Sequence, residues 1–172
     1  MTNKPQQMKR LLALILFMGL LTSPILAQND LTTFILVRHA EKGDDDPRDP
    51  SLSAEGEARA QKLAQVLADQ NITAIYSTPF KRTKSTAEPL AKSKRLTVET
   101  YDFRSQTYLQ DMLKKHKGGT ILIAGHSNTT PMVANLLIGS ETFEQLDESE
   151  YSKIFIITVS SVGKGTATVI RY

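Results

Sequence analysis

The 172-residue chain has no cysteine and no tryptophan, and aromatic residues make up only 6% of it. Without cysteine there is no disulfide framework, no thiolate metal site, no cysteine nucleophile and no cysteine-linked lipid. An excess of charge of one sign is also missing from most of the chain. The formal net charge of +3 is carried by Lys4, Lys9 and Arg10, and residues 28–172 hold 18 basic and 18 acidic side chains. A balanced chain gives no warrant for nucleic-acid or membrane-surface binding, so no nucleic-acid partner is expected. Long apolar runs are scarce as well. The one that stands out, Leu11 to Leu21, is shorter than the ~20 residues of a membrane span.

What the N-terminus does have is the layout of a secretory signal peptide. A basic segment, the apolar run, a break at Thr22-Ser23-Pro24 and the small residue Ala27 follow in order. Residues 1–27 are therefore expected to direct export, to a periplasmic or secreted destination. An uncleaved anchor is the competing reading; after cleavage no stable membrane insertion is expected. Residues 28–172 have the size of one ordinary domain, whose stability must come from a packed core. Asn71-Ile72-Thr73 and Asn128-Thr129-Thr130 fit the glycosylation pattern. A glycan on Asn128 would crowd His126, which favours a bacterial setting.

From residue 31 onward, strands and helices alternate. Leu31–Val37 reads as a buried strand. Ser53 reads as the N-cap of a helix carrying Ala60, Leu63, Ala64 and Leu67 at helical spacing. Strands follow at 74–77 and 96–99, with a helix opening near Pro79 between them. A helix over 105–117 closes at Gly118-Gly119. The apolar strand 120–124 leads to a helix through Met132, Val133, Leu136 and Leu137 that ends at Gly139. Residues 140–150 read as a polar surface excursion. Segments 153–159 and 166–171, around Gly163-Lys164-Gly165, read as a hairpin. The expected fold is an α/β three-layer sandwich: a mostly parallel central sheet, helices on both faces, and a C-terminal antiparallel hairpin at the edge.

Two buried strands run straight into a histidine, Val37-Arg38-His39 and Ala124-Gly125-His126. Parallel strands share a carboxyl edge, where ligands bind in open α/β sheets, so both histidines can reach one cleft. Gly125 is expected to let backbone approach a ligand. Arg82 lies just past a third strand end, and Ser127 to Thr130 open a helix whose free N–H groups favour an anion. Two arginines, two histidines and a helix start on one edge describe a phosphate pocket.

At these residues the sequence resembles the histidine phosphatase superfamily, in its phosphoglycerate-mutase-like branch 1. The matching stretches are Leu36-Val37-Arg38-His39-Ala40-Glu41, Leu52 to Ala60, Ile75 to Ala87, and Leu122 to Thr129. Together they span most of residues 28–172. The resemblance implies a phosphoric monoester hydrolase acting on a small phosphorylated molecule. His39 would be the nucleophile that becomes phosphohistidine. Arg38 and Arg82 would clamp the phosphoryl oxygens, and His126 would hydrogen-bond the phosphoryl group, with Ser127 also binding phosphate. No metal and no other cofactor is implied. Neighbouring arginines should lower the His39 pKa and a bound dianion should raise it, so activity is expected to peak on the acidic to neutral side.

One piece of the pattern is missing. Members of this family that cleave phosphomonoesters usually carry a carboxylic acid that protonates the leaving alcohol. Asp102 is the first candidate here and Glu99 the second, without the usual glycine-containing motif. If neither serves, the alternatives are a phosphohistidine or anhydride phosphatase that needs no acid, or a non-catalytic phosphate- or phosphosugar-binding protein on the same fold. The acidic triplet Asp44-Asp45-Asp46 reads as a solvated run at the pocket mouth. His116, among Lys114, Lys115 and Lys117, reads as a surface residue complementing a helix dipole. No amphipathic stripe is left over to indicate an oligomer.

Overall fold

The computed structural model describes residues 31–172; the expected signal peptide lies outside the described residues. The elements run β1 (Thr32–Arg38), α1 (Ala54–Val66), β2 (Ile72–Ser77), α2 (Lys81–Lys94), β3 (Val98–Thr100), α3 (Tyr108–Lys115), β4 (Thr120–Gly125), α4 (Thr129–Ile138), β5 (Lys153–Val159) and β6 (Gly165–Arg171). They form a six-stranded sheet in the order β3-β2-β4-β1-β5-β6. The first four strands are mutually parallel, and β5 and β6 close the far edge antiparallel.

The central strands are apolar on both faces because both are covered. On β1, Phe34 and Leu36 pack with Ile121 and Ile123 of β4 beneath α3 and α4. Ile35 and Val37 pack with Leu122 and Ala124 beneath α1 and α2, against Leu63 and Leu90. The period of two along each strand thus sorts one continuous apolar run into two cores. Register does the rest: Arg38 pairs with Gly125, and Ser77 pairs with Ala124, so three strand ends finish level.

α1 starts where expected, with the Ser53 hydroxyl accepting from the Gly56 N–H at 3.1 Å. Gly56 has no alternative, because a Cβ there would sit 2.1 Å from the Glu41 carbonyl oxygen. α1 therefore lies directly on the loop that leaves β1.

Three expectations need correction. The helix over 105–117 is shorter, Tyr108–Lys115, because the Asp102 carboxylate takes the Arg104 N–H and turns the chain before it. No apolar stripe was expected to be left over, yet Met132 and Leu136 are exposed on α4, while Val133, Ala134 and Leu137 pack in the core. His116 is half-buried and shares a 2.9 Å hydrogen bond with the Tyr76 hydroxyl. Burial and the adjacent Lys115 charge lower its pKa, so it is no cationic complement to the helix dipole.

Candidate active site

The level strand ends form a cleft of about 270 Å³. Arg38, His39, Arg82, His126 and Ser127 all line it. The sheet ladder continues past the strands and fixes the histidines from the backbone. The His39 N–H donates to the Gly125 carbonyl at 2.9 Å, and the Thr78 N–H to the Ala124 carbonyl at 3.3 Å. Gly125 serves this packing rather than a ligand. A Cβ on it would meet the Thr129 hydroxyl at 2.8 Å and that of Thr130 at 3.0 Å, in the first turn of α4.

His39 is buried, and its Nδ1 lies 2.8 Å from the Ala40 carbonyl oxygen. A carbonyl only accepts, so Nδ1 carries the proton and Nε2 carries the lone pair. Burial is the largest influence on its pKa, and the charges of His126, Arg38 and Arg82 add to it; together they lower it to about 4 against the raising effect of the Ala40 bond. Burial thus outweighs the arginines that the sequence pointed to. The imidazole is neutral at pH 7, as a nucleophile requires.

His126 stands beside it, with ring centroids 5.3 Å apart. Its Nε2 is 2.9 Å from the Thr78 hydroxyl, and Thr78 spends its one proton on Thr83 at 2.9 Å. His126 Nε2 is therefore the donor, which leaves Nδ1 as the unprotonated nitrogen of the neutral ring. Burial first, then Arg82 and Arg38, lower its pKa to about 4. A phosphate dianion beside it acts in the opposite direction and favours a proton on Nδ1.

Arg38 is 2% exposed and is held from two sides. Its Nη1 donates to the carbonyls of Asp147, Glu148 and Glu150 at 2.8, 3.0 and 3.2 Å. The guanidinium carbon lies 4.2 Å from the Tyr151 ring centroid. Nε is buried without a partner, and Nη2 donates to the Glu148 carboxylate at 2.8 Å. Nε and Nη2 form the edge that suits bidentate binding of an oxyanion. Glu148 takes half of that edge, and its other oxygen accepts from the Ser127 hydroxyl at 2.8 Å. The Ser127 bond first, then the Arg38 charge, hold its carboxyl below the usual range, so it is an anion. A carboxylate thus bridges two of the groups expected to bind phosphate.

Arg82, in the first turn of α2, lies over the Phe80 ring at 4.5 Å. Its only carboxylate contact among the described residues is Asp49, at a loose 3.5 Å. Thr86 ties this helix to the nucleophile loop, accepting from the Ala40 N–H at 2.9 Å and donating to the Arg82 carbonyl at 2.7 Å.

The two carboxylates considered as proton donors are elsewhere. Asp102 is exposed and caps its own turn, and Glu99 is paired with Lys115 at 2.9 Å. Neither lines the cleft. Sequence reasoning missed Glu148, Lys42 and Arg48, which do line it. Its reading of residues 41–52 and 139–150 as loops around the pocket agrees with the structure, and the second, also read as a surface excursion, wraps Arg38; 100–108, read the same way, does not line the cleft. Nothing local marks Glu148; only the fold brings it within reach of Arg38, 110 positions earlier. Among the described residues, no group of three or more His, Asp or Glu side chains is arranged to hold a metal ion.

Comparison with known proteins agrees with this geometry. Residues 34–103 match the model of the histidine phosphatase superfamily, branch 1. That match runs from the first strand to just past β3 and takes in Arg38, His39 and Arg82, and it supports the superfamily for this chain. Phosphoserine phosphatase 1 of Hydrogenobacter thermophilus is 41% identical over 75 residues, which cover 40% of this chain and 35% of that protein. The chain thus spans about a third of the length of this curated relative. The protein histidine phosphatase SixA in complex with tungstate superposes with a TM-score of 0.67 at 19% identity, over 81% of this chain and 96% of SixA. A mycobacterial glucosyl-3-phosphoglycerate phosphatase gives 0.64 at 12% identity, over 83% and 98%. At these identities the two structures support the fold, an α/β sandwich with a C-terminal antiparallel hairpin.

Proposed function

We propose that the protein is an exported, metal-independent phosphatase that hydrolyses a small phosphomonoester through a phosphohistidine on His39. The observation that carries this reading is the tautomer of His39: Nδ1–H is committed to the Ala40 carbonyl, so Nε2 offers a lone pair on a neutral ring. Nε2 would attack phosphorus while the bond to the leaving oxygen breaks and a water molecule protonates that oxygen. Water would then attack the phosphohistidine, releasing inorganic phosphate and restoring Nε2. Arg38 and Arg82 would hold the equatorial oxygens, and His126, protonated at Nδ1 by the dianion's field, would donate to one of them. This cationic set supplies charge stabilisation from side chains alone. The name of the Hydrogenobacter relative, a phosphoserine phosphatase, supports a small phosphoester as substrate.

One observation favours a second reading. Asp102 and Glu99 are both bonded away from the cleft. A substrate whose leaving group needs no proton, a phosphohistidine or an anhydride, fits a site without them. Export rests on the character of residues 1–27 alone.

Hydrolysis of p-nitrophenyl phosphate, with and without EDTA and beside a His39→Ala control, tests the proposal. The expected result is EDTA-resistant turnover that falls at least ~10³-fold in the control. Phosphate binding without turnover in the parent protein would instead make it a binding protein. Turnover of aryl but not alkyl phosphates would favour the acid-free reading.

A further inference from the structure

The loop between β1 and α1, residues 42–52, is built to present cations. It is closed by the Gly43 N–H donating to the Ser51 carbonyl at 2.8 Å, and by a bridge pairing Lys42 with Leu52. Three of its four carboxylates cap backbone N–H groups; Asp44 is exposed. Asp45 accepts from the Ser51 N–H at 2.8 Å, Asp46 from the N–H groups of Arg48 and Asp49 at 2.8 and 3.2 Å, and Asp49 from the Lys81 N–H at 2.9 Å. Those bonds hold the carboxyls of Asp45 and Asp46 below their usual range, so both stay ionised while capping backbone. Of the run expected to be solvated, Asp45 and Asp46 are therefore the loop's scaffold, and Asp44 alone is exposed without such a bond. Pro47 and Pro50 stiffen the stretch that carries Arg48.

What this scaffold turns to the cleft is positive. Lys42 and Arg48 both line it, both are exposed, and neither makes an ion pair or side-chain hydrogen bond among the described residues. The Lys42 charge reaches Glu148 only through space. Of the four cations that line the cleft, Arg38 pairs with Glu148 and Arg82 loosely with Asp49, while Lys42 and Arg48 have no ion-pair partner among the described residues. A phosphate dianion held by the two floor arginines leaves Lys42 and Arg48 free to meet a second anionic group. Among the lining residues only Pro47 and Pro50 are apolar, so the cleft offers nothing to a fatty or aromatic leaving group.

We propose that Lys42 and Arg48 form a second anion subsite, and that the substrate is a small phosphoester whose leaving group carries a further carboxylate or phosphate. This rests on the phosphate-site reading of Arg38, His39, Arg82 and His126. Calorimetric binding of non-hydrolysable phosphonates tests it without requiring turnover. Methylphosphonate is the reference; phosphonoacetate and 3-phosphonopropionate add a carboxylate at two spacings, and methylenebisphosphonate adds a second phosphonate. At least one of the three is expected to bind roughly tenfold more tightly than the reference, from two partly exposed ion pairs. The strongest arm says whether a carboxylate or a phosphate is the natural second group.

In the double variant Lys42→Ala/Arg48→Ala, the affinity ratio should fall to about one, and Lys42→Arg/Arg48→Lys should restore it. Lys81→Ala removes an exposed charge beside the same loop and controls for the general field; it should leave the ratio intact. A ratio near one for every arm in the parent protein overturns the proposal, as does a ratio that survives the double variant or that Lys81→Ala erodes equally. Failure of methylphosphonate itself to bind overturns the phosphate-site reading, and the second subsite with it. Normal methylphosphonate binding with a flat ratio overturns the second subsite alone.

Discussion

The floor and the walls of the cleft are built by different means. The floor is the level ends of β1, β2 and β4, where sheet register and buried backbone bonds fix Arg38, His39 and His126. The walls are two loops, 42–52 and 140–150, held by side chains capping nearby N–H groups and by carbonyls gathered on one guanidinium. Moving a floor residue requires breaking the sheet. A wall side chain such as Lys42, Arg48 or Glu148 moves at the cost of at most one or two exposed contacts. The floor is suited to chemistry that tolerates little displacement, and the walls are suited to choosing what enters.

Arg38 is where the two meet, and its removal should have the largest structural effect. It is buried, and three carbonyls of the 147–150 segment depend on its Nη1. Arg38→Ala should lower unfolding free energy by roughly 3 kcal/mol, because three part-buried carbonyls lose a shared charged donor and a buried side chain is removed. Arg38→Lys should recover little of it, since an ammonium cannot serve three carbonyls and an oxyanion edge together. Urea melts of the two variants measure this. Loss under 1 kcal/mol for Arg38→Ala would mean that wall and floor are independent.

The buried histidines set a pH limit on the floor that the walls do not share. His39 titrates at about 4 in the folded chain, against 6.5 when free. A histidine with a lowered folded pKa leaves the unfolded chain binding more protons between those values. Stability is therefore full above about pH 6.5 and falls as the pH drops toward 4, by on the order of 3 kcal/mol for His39. His126 acts in the same direction. Melting temperatures measured from pH 7 to 4 should decline, and the decline should be shallower in His39→Gln. An unchanged slope in that variant would place the linkage elsewhere.

This division also explains what the sequence made legible. The floor comes from apolar runs that end abruptly in Arg38-His39 and Gly125-His126, and period and strand-end logic are local properties of the chain. The Ser53 cap and the hairpin at 153–171 were readable for the same reason. The walls carry no period to read. Asp45 and Asp46 look like a charge run until their N–H partners, two to six positions on, are known. Glu148 looks like one more acid in a polar loop until the sheet brings it to Arg38. Asp102 sat near a strand end, as a proton donor would, but β3 is an edge strand and Asp102 is used to cap a turn.

The smallest expected effect gives the sharpest test of the walls. Glu148 bridges Arg38 and Ser127 as an anion, yet its side chain is 68% exposed. An incoming phosphate must take the Nε/Nη2 edge of Arg38 and so must displace it. The displaced carboxylate has water to move into, so the cost is that of one exposed pair, about 1 kcal/mol or less. Glu148→Gln weakens the incumbent and removes a negative charge facing the ligand. Phosphate or tungstate should therefore bind about three- to fivefold more tightly to the variant, with little change in folding stability. Weaker binding would mean that Glu148 supports the ligand rather than competing with it. In that event the 140–150 loop would belong to the floor in function, and Glu148 would replace Asp102 as the carboxylate to examine for proton donation.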